Sequence, residues 1–369
     1  MAASVLVQGP LEPFSESHGL EKSAAHGISP ATEDDSESSI HTIDGLVRQR
    51  ARLYPHTHVV SYPSSGTTFV DYTLQQLDVF AWRTARIYEV DVPARLSSAQ
   101  KPTVVALLGP SNLEYLVTML ALAKLGHTIL LLSTRIPQPA VESLLESTGA
   151  EVLIADKAYL DLASAVQAAR GATRILEFVE RSGFEFPIET YVDTRLDRQL
   201  DPEVEKNNIV WIIHSSGMSH LSAAGSGMLL TRYLFIGSTG LPKPIYQSQK
   251  SCIPNYAMNM EMKALITLPL FHNHGICNVF RAIYARKSIH LYNADLPLTS
   301  QYLVSIMRQT KFEIFYGVPY ALKLLSESQE GIDLMRQLKV VMYGGSACPD
   351  DLGNLLVDNG VNLVGHYGA

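Results

Sequence analysis

Hydrophobic residues alternate between two spacings along the chain, and the alternation predicts an α/β fold. The apolar runs at residues 103–108 and 128–132 have the length and composition of buried strands. Between them, apolar residues at helical spacing run up to Gly126, a residue suited to the left-handed end of a helix. Strand, helix and strand joined by short connections predict a βαβ unit, and hence a parallel sheet.

The same pattern recurs further along the chain. A helical pattern at 139–147 precedes a strand-like run at 151–155, and runs at 339–342 and 361–364 flank a helix that starts near Pro349. We therefore predict a doubly wound α/β fold, with mainly parallel sheets, flanking helices and more than one sheet at this length.

Two segments differ from this pattern. Residues 1–40 are rich in Ser, Glu, Asp, Pro and Gly, which predicts a disordered tail before a folded domain at 41–369. The polar, acidic stretch at 188–206 predicts a linker that leads into a strand at 209–213.

Local signals predict where the first helices begin. An amphipathic helix is expected from about Thr42. The patterns Thr73-Leu74-Gln75-Gln76 and Ser111-Asn112-Leu113-Glu114 predict capping boxes at the next two helix starts.

Composition narrows the function classes. The chain has 369 residues, of which 46% are hydrophobic and 18% charged, so it can bury a large core. Its net charge of −7, without a basic patch, argues against binding to nucleic acid or an anionic membrane. The apolar runs are shorter than the ~20 residues of a spanning helix, and no signal peptide is recognisable, so a cytoplasmic location is expected. The three cysteines have no paired spacing.

A phosphate-binding signature occurs in two pieces. The run His214-Ser215-Ser216-Gly217 follows the predicted strand, and Ser238-Thr239-Gly240-Leu241-Pro242-Lys243 follows an intervening segment at 218–237. A Ser/Thr/Gly loop that ends in lysine can wrap a polyphosphate, because backbone N–H groups, hydroxyls and an ammonium all approach the anion closely. It is not a Walker loop, since Pro242 and Pro244 replace the required glycine and magnesium-binding hydroxyl.

Three later stretches follow in a fixed order. They are Thr267-Leu268-Pro269-Leu270-Phe271-His272-Asn273-His274-Gly275, Tyr343-Gly344-Gly345-Ser346-Ala347-Cys348-Pro349 and His366-Tyr367-Gly368-Ala369. With the split signature, they resemble the motifs of the adenylate-forming (AMP-binding) superfamily, which includes acyl-CoA ligases, luciferases and peptide-synthetase adenylation domains. The residues of these motifs are most similar to those in the N-terminal adenylation domain of fungal NRPS-like adenylate-forming (carboxylic acid) reductases.

The resemblance implies a function and a set of site residues. It implies ATP-dependent activation of a carboxylic acid to an acyl-adenylate in secondary metabolism, with ATP and Mg²⁺ as cofactors and Lys243 as the catalytic residue. The implied nucleotide-binding residues are Ser215, Ser216, Gly217, Ser238, Thr239, Gly240, Lys243, Gly344, Gly345, Ser346, His366, Tyr367 and Gly368. The implied pocket for the acid includes His272, Asn273, Tyr316 and Gly317.

Two other patterns look like binding sites but do not predict one. His272 and His274 lack a third ligand in the sequence, so no zinc site is predicted and a pocket-wall or core role is favoured. The Ser/Thr/Gly-rich run at 64–68 is not followed by Pro-Lys, and it lies between strand-like runs. It therefore predicts a hairpin turn.

The segment at 218–237 has two explanations. Its removal restores a continuous family motif, and the flanking residues permit splice signals, so we hypothesise a retained intron translated in frame. A genuine insertion loop is the alternative. Either way, the added residues cost loop-closure entropy and are expected to displace the phosphate-binding donors.

The chain stops at Ala369, where the family motif continues with Thr-Glu. The resemblance implies a further C-terminal subdomain, then a carrier domain with its phosphopantetheine and a reductase domain with its NADPH site. We therefore expect a truncated adenylation domain with impaired activity. The alternative is a non-catalytic remnant that at most binds nucleotide or a partner domain. An acyl-CoA ligase is a third interpretation.

Overall fold

The computed structural model describes Ser36 and residues 39–188, 192–215 and 240–367, which build two β-sheets separated and covered by helices. The strands are β1 (His58–Ser65), β2 (Thr68–Thr73), β3 (Val104–Leu108), β4 (Thr128–Leu132), β5 (Val152–Ala155), β6 (Arg174–Glu177), β7 (Ile209–His214), β8 (Pro244–Ser248), β9 (Ala264–Ile266), β10 (Ile289–Leu291), β11 (Ile314–Gly317), β12 (Val340–Gly344) and β13 (Leu363–His366).

The helices alternate with these strands along most of the chain. They are α1 (Ile43–Leu53), α2 (Leu74–Tyr88), α3 (Leu113–Leu125), α4 (Gln138–Thr148), α5 (Leu160–Arg170), α6 (Pro202–Glu205), α7 (Gln249–Ala257), α8 (Asn273–Ala285), α9 (Ser300–Gln309), α10 (Pro319–Ser326), α11 (Gln329–Arg336) and α12 (Asp350–Asp358). Within the described ranges, none combines the length and the apolar character needed to cross a bilayer.

Both sheets are mainly parallel. The seven-stranded sheet has the order β13-β12-β11-β9-β10-β1-β2, and the six-stranded sheet has the order β6-β5-β3-β4-β7-β8. Only the pairs β1 with β2 and β7 with β8 are antiparallel among the described strands. The predicted βαβ unit is β3-α3-β4, whose strands pair in parallel register. Because β4 and β7 are also parallel neighbours, the loops that follow them leave from the same edge.

Successive residues of a strand pack into different hydrophobic cores. The fold therefore has five layers: a central layer of helices, a sheet on each side of it, and an outer layer of helices on each sheet. Val105 and Leu107 of β3 join a central core with helices α1, α2, α3 and α8, whereas Ala106 and Leu108 pack with α4 and α5. In the other sheet, Phe315 packs with helices α9 to α12 on the outer face. Because strand side chains alternate between faces, each sheet is covered on both sides. The prediction of a doubly wound fold is confirmed.

Most predicted helix starts and turns are confirmed. The Thr42 hydroxyl accepts a hydrogen bond from the Gly45 N–H at 3.0 Å at the start of α1. Thr73 and Gln76 form the reciprocal capping box of α2. Gly126 ends α3 with φ +87°, and Gly66 lies at φ +52° in the turn between β1 and β2. Glycine adopts both conformations without the cost that a Cβ would bring.

The second predicted capping box is wrong. Asn112 caps α3, because its Oδ1 accepts a hydrogen bond from the Tyr115 N–H at 2.9 Å. Ser111 instead accepts a hydrogen bond from the Leu270 N–H at 2.7 Å, across to the loop that follows β9. Asparagine and serine are equally good caps, so sequence alone does not distinguish the two positions.

The segment predicted as a linker is partly built into the fold. Within its described part, Glu205 of α6 is buried and accepts hydrogen bonds from Arg95 at 2.7 and 3.1 Å. The Ser98 hydroxyl also donates to Glu205, at 2.8 Å. These partners lie about a hundred residues earlier in the chain, at a separation that a local reading of composition does not reach.

A buried ionic cluster joins three helices of the central layer. Lys124 of α3 donates to Asp44 of α1 and to Asp78 of α2, each at 2.8 Å. Arg198 also pairs with Asp44 at 3.2 Å, and the Thr194 hydroxyl donates to Asp78 at 2.7 Å. Burial opposes the charged lysine, but the two aspartates outweigh it and raise the pKa of Lys124. The lysine is therefore charged in the middle of the protein.

Replacing Lys124 with methionine should lower the free energy of unfolding by about 3–5 kcal/mol, because Asp78 would stay buried without a cation and Asp44 would lose one of its cations. Urea unfolding of the wild type and the variant measures the loss. Lys323→Met is the matched control, since Lys323 is exposed on α10 and its replacement should change stability by less than about 0.5 kcal/mol. A K124M protein as stable as this control would contradict the role given to the cluster.

Candidate active site

The two halves of the split signature meet at the end of the β7–β8 hairpin. The Ser215 N–H donates to the Lys243 carbonyl at 3.1 Å, and the Lys243 N–H donates to the Ser215 hydroxyl at 3.0 Å. These bonds extend the ladder one step past the His214–Pro244 pair. The lysine side chain is exposed, as is Gly240. Ser216, Gly217, Ser238, Thr239 and the segment 218–237 lie outside the described residues.

A buried histidine fixes the position of this hairpin. His214 is 6% exposed, its Nδ1 lies 2.9 Å from the Ser215 carbonyl, and its Nε2 accepts a hydrogen bond from the Ser133 N–H at 3.0 Å. Burial lowers the pKa of His214, although the bond to the Ser215 carbonyl opposes the shift. The ring is therefore neutral with its proton on Nδ1, and it ties the end of β4 to the end of β7.

The second group of predicted residues comes together at the end of the seven-stranded sheet. Tyr316 lies near the carboxyl end of β11, Gly344 is the last residue of β12, and His366 is the last residue of β13. These strands are parallel neighbours, so their ends share one edge. The His274 ring lies against this edge, with its centroid 4.6 Å from that of His366 and 5.9 Å from that of Tyr316.

Gly344 allows this close approach. A Cβ at this position would lie 2.9 Å from His274 Nδ1 and 2.9 Å from the His366 carbonyl oxygen, both closer than ordinary contact. The next residue, Gly345, has φ +87° and begins an exposed turn that also contains Ser346. Tyr367 beyond β13 is almost fully exposed (92%), and Gly368 lies outside the described residues.

His274 was missing from the predicted site residues, and the structure makes it central. Within the described part of the chain, neither of its buried ring nitrogens has a hydrogen-bond partner. Burial lowers the pKa of His274 to about 4, and His366 and Arg281 add to the shift. A neutral, unsatisfied imidazole can bind a ligand group that offers a donor or an acceptor. Its signals in the sequence were its place in the motif at 267–275 and its i, i+2 spacing from His272.

The start of α8 joins the two groups of residues. His272 is the N-cap of this helix, and Asn273 accepts a hydrogen bond at 2.8 Å from Gln247 of β8. His272 keeps a solvent-accessible surface, but burial of its ring lowers its pKa to about 4, with added contributions from His214 and Arg135. The β7–β8 hairpin and the edge formed by β11, β12 and β13 are therefore neighbours.

The pocket residues predicted for the acid divide between these groups. Tyr316 and Gly317 lie at the end of β11, where the Tyr316 carbonyl accepts hydrogen bonds from the Thr267 N–H and hydroxyl at 3.0 and 3.3 Å. Gly317 packs closely on the Phe315 ring, because a Cβ there would lie 2.6 Å from a ring carbon. His272 and Asn273 belong to the α8 start.

The described side chains do not by themselves form a site for a metal ion. Across the described ranges, no three His, Cys, Asp or Glu side chains are grouped so that they could ligate a metal. A metal in this site would therefore need further ligands from water, from a bound molecule or from residues outside those ranges.

These features make an α/β protein with a Ser/Lys hairpin and a glycine turn at the carboxyl edges of two mainly parallel sheets, where folds of this class bind their ligands. The AMP-binding enzyme family matches residues 92–218 and 237–369. The chain belongs to this family. The match stops where the intervening segment begins and resumes where it ends. Enzymes of the family use ATP, typically with Mg²⁺.

Curated relatives include fungal multidomain enzymes. The adenylate-forming reductase stbB of Stachybotrys bisbyi is 26% identical over 82% of this chain and 28% of its own length. A carboxylic acid reductase of Neurospora crassa is 24% identical over 86% of this chain and 30% of its own length. The chain thus spans about 30% of the length of these relatives.

Solved structures share the fold. The N-terminal domain of FACL13 from Mycobacterium tuberculosis superposes with a TM-score of 0.67 at 19% identity, covering 89% of this chain and 76% of that chain. The N-terminal subdomain of Klebsiella oxytoca NpsA, in complex with 3-hydroxybenzoyl-AMSN, gives a TM-score of 0.66 at 14% identity, with 92% and 75% covered. At these identities the likeness establishes the fold alone.

Replacing Gly344 with alanine should lower the free energy of unfolding by about 1–3 kcal/mol, because the new methyl group would overlap the His274 ring and the His366 carbonyl. Thermal unfolding measures the loss. Gly353→Ala is the matched control. Gly353 lies in α12 with open space around an added Cβ, so its replacement should be neutral or stabilising by up to about 1 kcal/mol. Equal melting temperatures for the two variants would show that the β12–β13 edge tolerates a side chain.

Proposed function

We propose that this chain binds ATP and activates a carboxylic acid to an acyl-adenylate. The observation that carries the proposal is the pair of hydrogen bonds between Ser215 and Lys243. They bring a hydroxyl and an ammonium-bearing residue to one point at the end of β7, although 28 positions separate the two residues in the chain. A phosphate-binding loop needs this combination of groups.

The proposed reaction is a transfer of the adenylyl group. A carboxylate oxygen of the acid attacks the α-phosphorus of ATP and forms a new P–O bond. The bond from the α-phosphorus to the oxygen that bridges to the β-phosphate breaks, and its electron pair leaves with pyrophosphate. Lys243 offsets the negative charge that accumulates on the departing group. Mg²⁺ carried by ATP would supply additional screening of phosphate charge.

The base of the nucleotide and the acid would occupy neighbouring parts of the site. We assign the base to the Gly344-Gly345-Ser346 turn, because a backbone without side chains can lie flat against a purine. We assign the acid to the pocket near Tyr316, Gly317 and the α8 start. His274 would face both, and its free ring nitrogens suit the polar atoms that meet there.

The curated relatives suggest the wider setting. We propose that the chain is the adenylation part of an NRPS-like reductase, in which a carrier domain receives the acyl group and a reductase domain releases it. This proposal rests on similarity to these reductases, whose own length is about three times that of the aligned region.

A second candidate is a protein that binds nucleotide without turnover. The interruption of the family match between 218 and 237 favours it, because the missing alignment falls inside the phosphate loop. Donors that are not held in place stabilise a transition state poorly, even where the ground state still binds.

The purified chain should catalyse ATP–pyrophosphate exchange that depends on an added carboxylic acid. Lys243→Ala should lower the exchange rate about 100-fold, because it removes one charged donor from the departing phosphates. Lys311→Ala is the control, since Lys311 is exposed just before β11, at the opposite edge of its sheet. Nucleotide binding without exchange, across a panel of aromatic and aliphatic acids, would favour the non-catalytic candidate.

For the segment at 218–237, we infer a retained intron. Sequencing cDNA across the codons for Ser216 and Ser238 should recover transcripts in which a single glycine codon separates these two codons. A uniform transcript that keeps the segment would instead establish a true insertion. A protein with 218–237 deleted should then be compared in the exchange assay, where the continuous loop should act faster because its donors are better organised.

A further inference from the structure

Arg135 stands apart from the other arginines that the structure describes. Each of the others has a side-chain, backbone or ring partner within the protein. Arg135 uses only its backbone N–H, and its guanidinium is exposed and carries no ion pair to a described carboxylate. An arginine without a partner presents a planar set of donors suited to a phosphate.

Hydrogen bonds link the backbone of Arg135 to the end of the β7–β8 hairpin. Its N–H donates to the Ser133 hydroxyl at 3.3 Å, and the Ser133 N–H donates to His214 Nε2 at 3.0 Å. His214 in turn lies next to Ser215, which is hydrogen-bonded to Lys243. A short series of hydrogen bonds therefore holds the loop after β4 beside the mouth of the β7–β8 hairpin.

Arg135 and Lys243 supply the positive charge at this edge. Two histidines lie close by: His214 is hydrogen-bonded within this series, and His272 is near Arg135. Both have lowered pKa values and are neutral at pH 7. The Arg135 guanidinium lies close enough to His272 to contribute to that lowering. Two basic side chains beside neutral imidazoles form a site for an extended anion more readily than for a single carboxylate.

We propose that Arg135 is a second polyphosphate-binding residue, which contacts the β- and γ-phosphates of ATP on the side opposite to Lys243. It would orient the pyrophosphate as the bond to the α-phosphorus breaks, and the electron pair of that bond would leave on an oxygen held between two cations. This inference rests on the proposed function, because it assumes that ATP phosphates occupy the hairpin mouth.

Equilibrium titrations of the full 369-residue chain with MgATP, AMP and inorganic tripolyphosphate test the proposal. Arg135→Met should weaken binding of MgATP and tripolyphosphate about 10-fold and leave binding of AMP unchanged, because AMP lacks the β- and γ-phosphates. Arg135→Lys should weaken MgATP binding less, since it keeps the charge and loses only the planar donor set. Melting temperatures should not change, because the side chain is exposed.

Lys101→Met is the matched control. Lys101 is an exposed cation just before β3, at the amino edge of the same sheet, so its removal should leave all three titrations unchanged. An equal loss in this variant would mean that overall charge, rather than a local contact, controls binding, and would overturn the proposal.

The remaining outcomes separate the two levels of inference. If Arg135→Met binds MgATP as the wild type does while Lys243→Ala binds it weakly, Arg135 has no phosphate role and the proposed function stands. If Arg135→Met weakens AMP as much as MgATP, the effect is not specific to the polyphosphate and the proposal also fails. If the wild type binds neither MgATP nor tripolyphosphate, the inference and the proposed function fail together.

Discussion

The central helical layer must bury apolar surface on two opposite sides, and the rest of the structure depends on this constraint. Helix α3 is apolar around almost its whole circumference, so it is stable only between two other layers. Its one buried charge, Lys124, is held by Asp44 and Asp78 from the two neighbouring helices. These contacts set how α1, α2 and α3 pack. Since both sheets rest on the same layer, the packing of that layer also positions the two sheets.

The candidate site follows from that arrangement. Helix α8 belongs to the central core, and its first turn reaches the carboxyl edges of both sheets. Asn273 contacts β8 of one sheet, and His274 packs on the strand ends of the other. A ligand at this point would therefore contact elements from both halves of the fold. In the proposed function, the β7–β8 hairpin at Ser215 and Lys243 would bind the phosphates, and the Gly344 turn would lie against the base.

The two halves of the split signature come together in space although a long segment separates them in the sequence. Loop-closure entropy rises slowly with loop length, by about 0.6 kcal/mol for each doubling, so a longer connection between β7 and β8 does not prevent the hairpin from forming. Ser215 and Lys243 remain hydrogen-bonded to each other across the interruption. The expectation that the added residues displace the phosphate-binding donors stays a prediction. Membership of the AMP-binding enzyme family rests on the residues on both sides of the interruption.

The sequence by itself determined the fold class, most strands and helices, and the family, because hydrophobic spacing, helix caps and motif wording are local properties of the chain. It also predicted that Gly344, Tyr316 and His366 belong to one site. It left His274 out of the site residues and placed the cap of α3 at Ser111 instead of Asn112. It interpreted the segment of Glu205 as a linker. Only the tertiary structure decided these points, together with the Lys124 cluster and the position of Arg135. Each depends on which distant residues become neighbours, and a buried charge or an unsatisfied nitrogen is recognisable only when its surroundings are known.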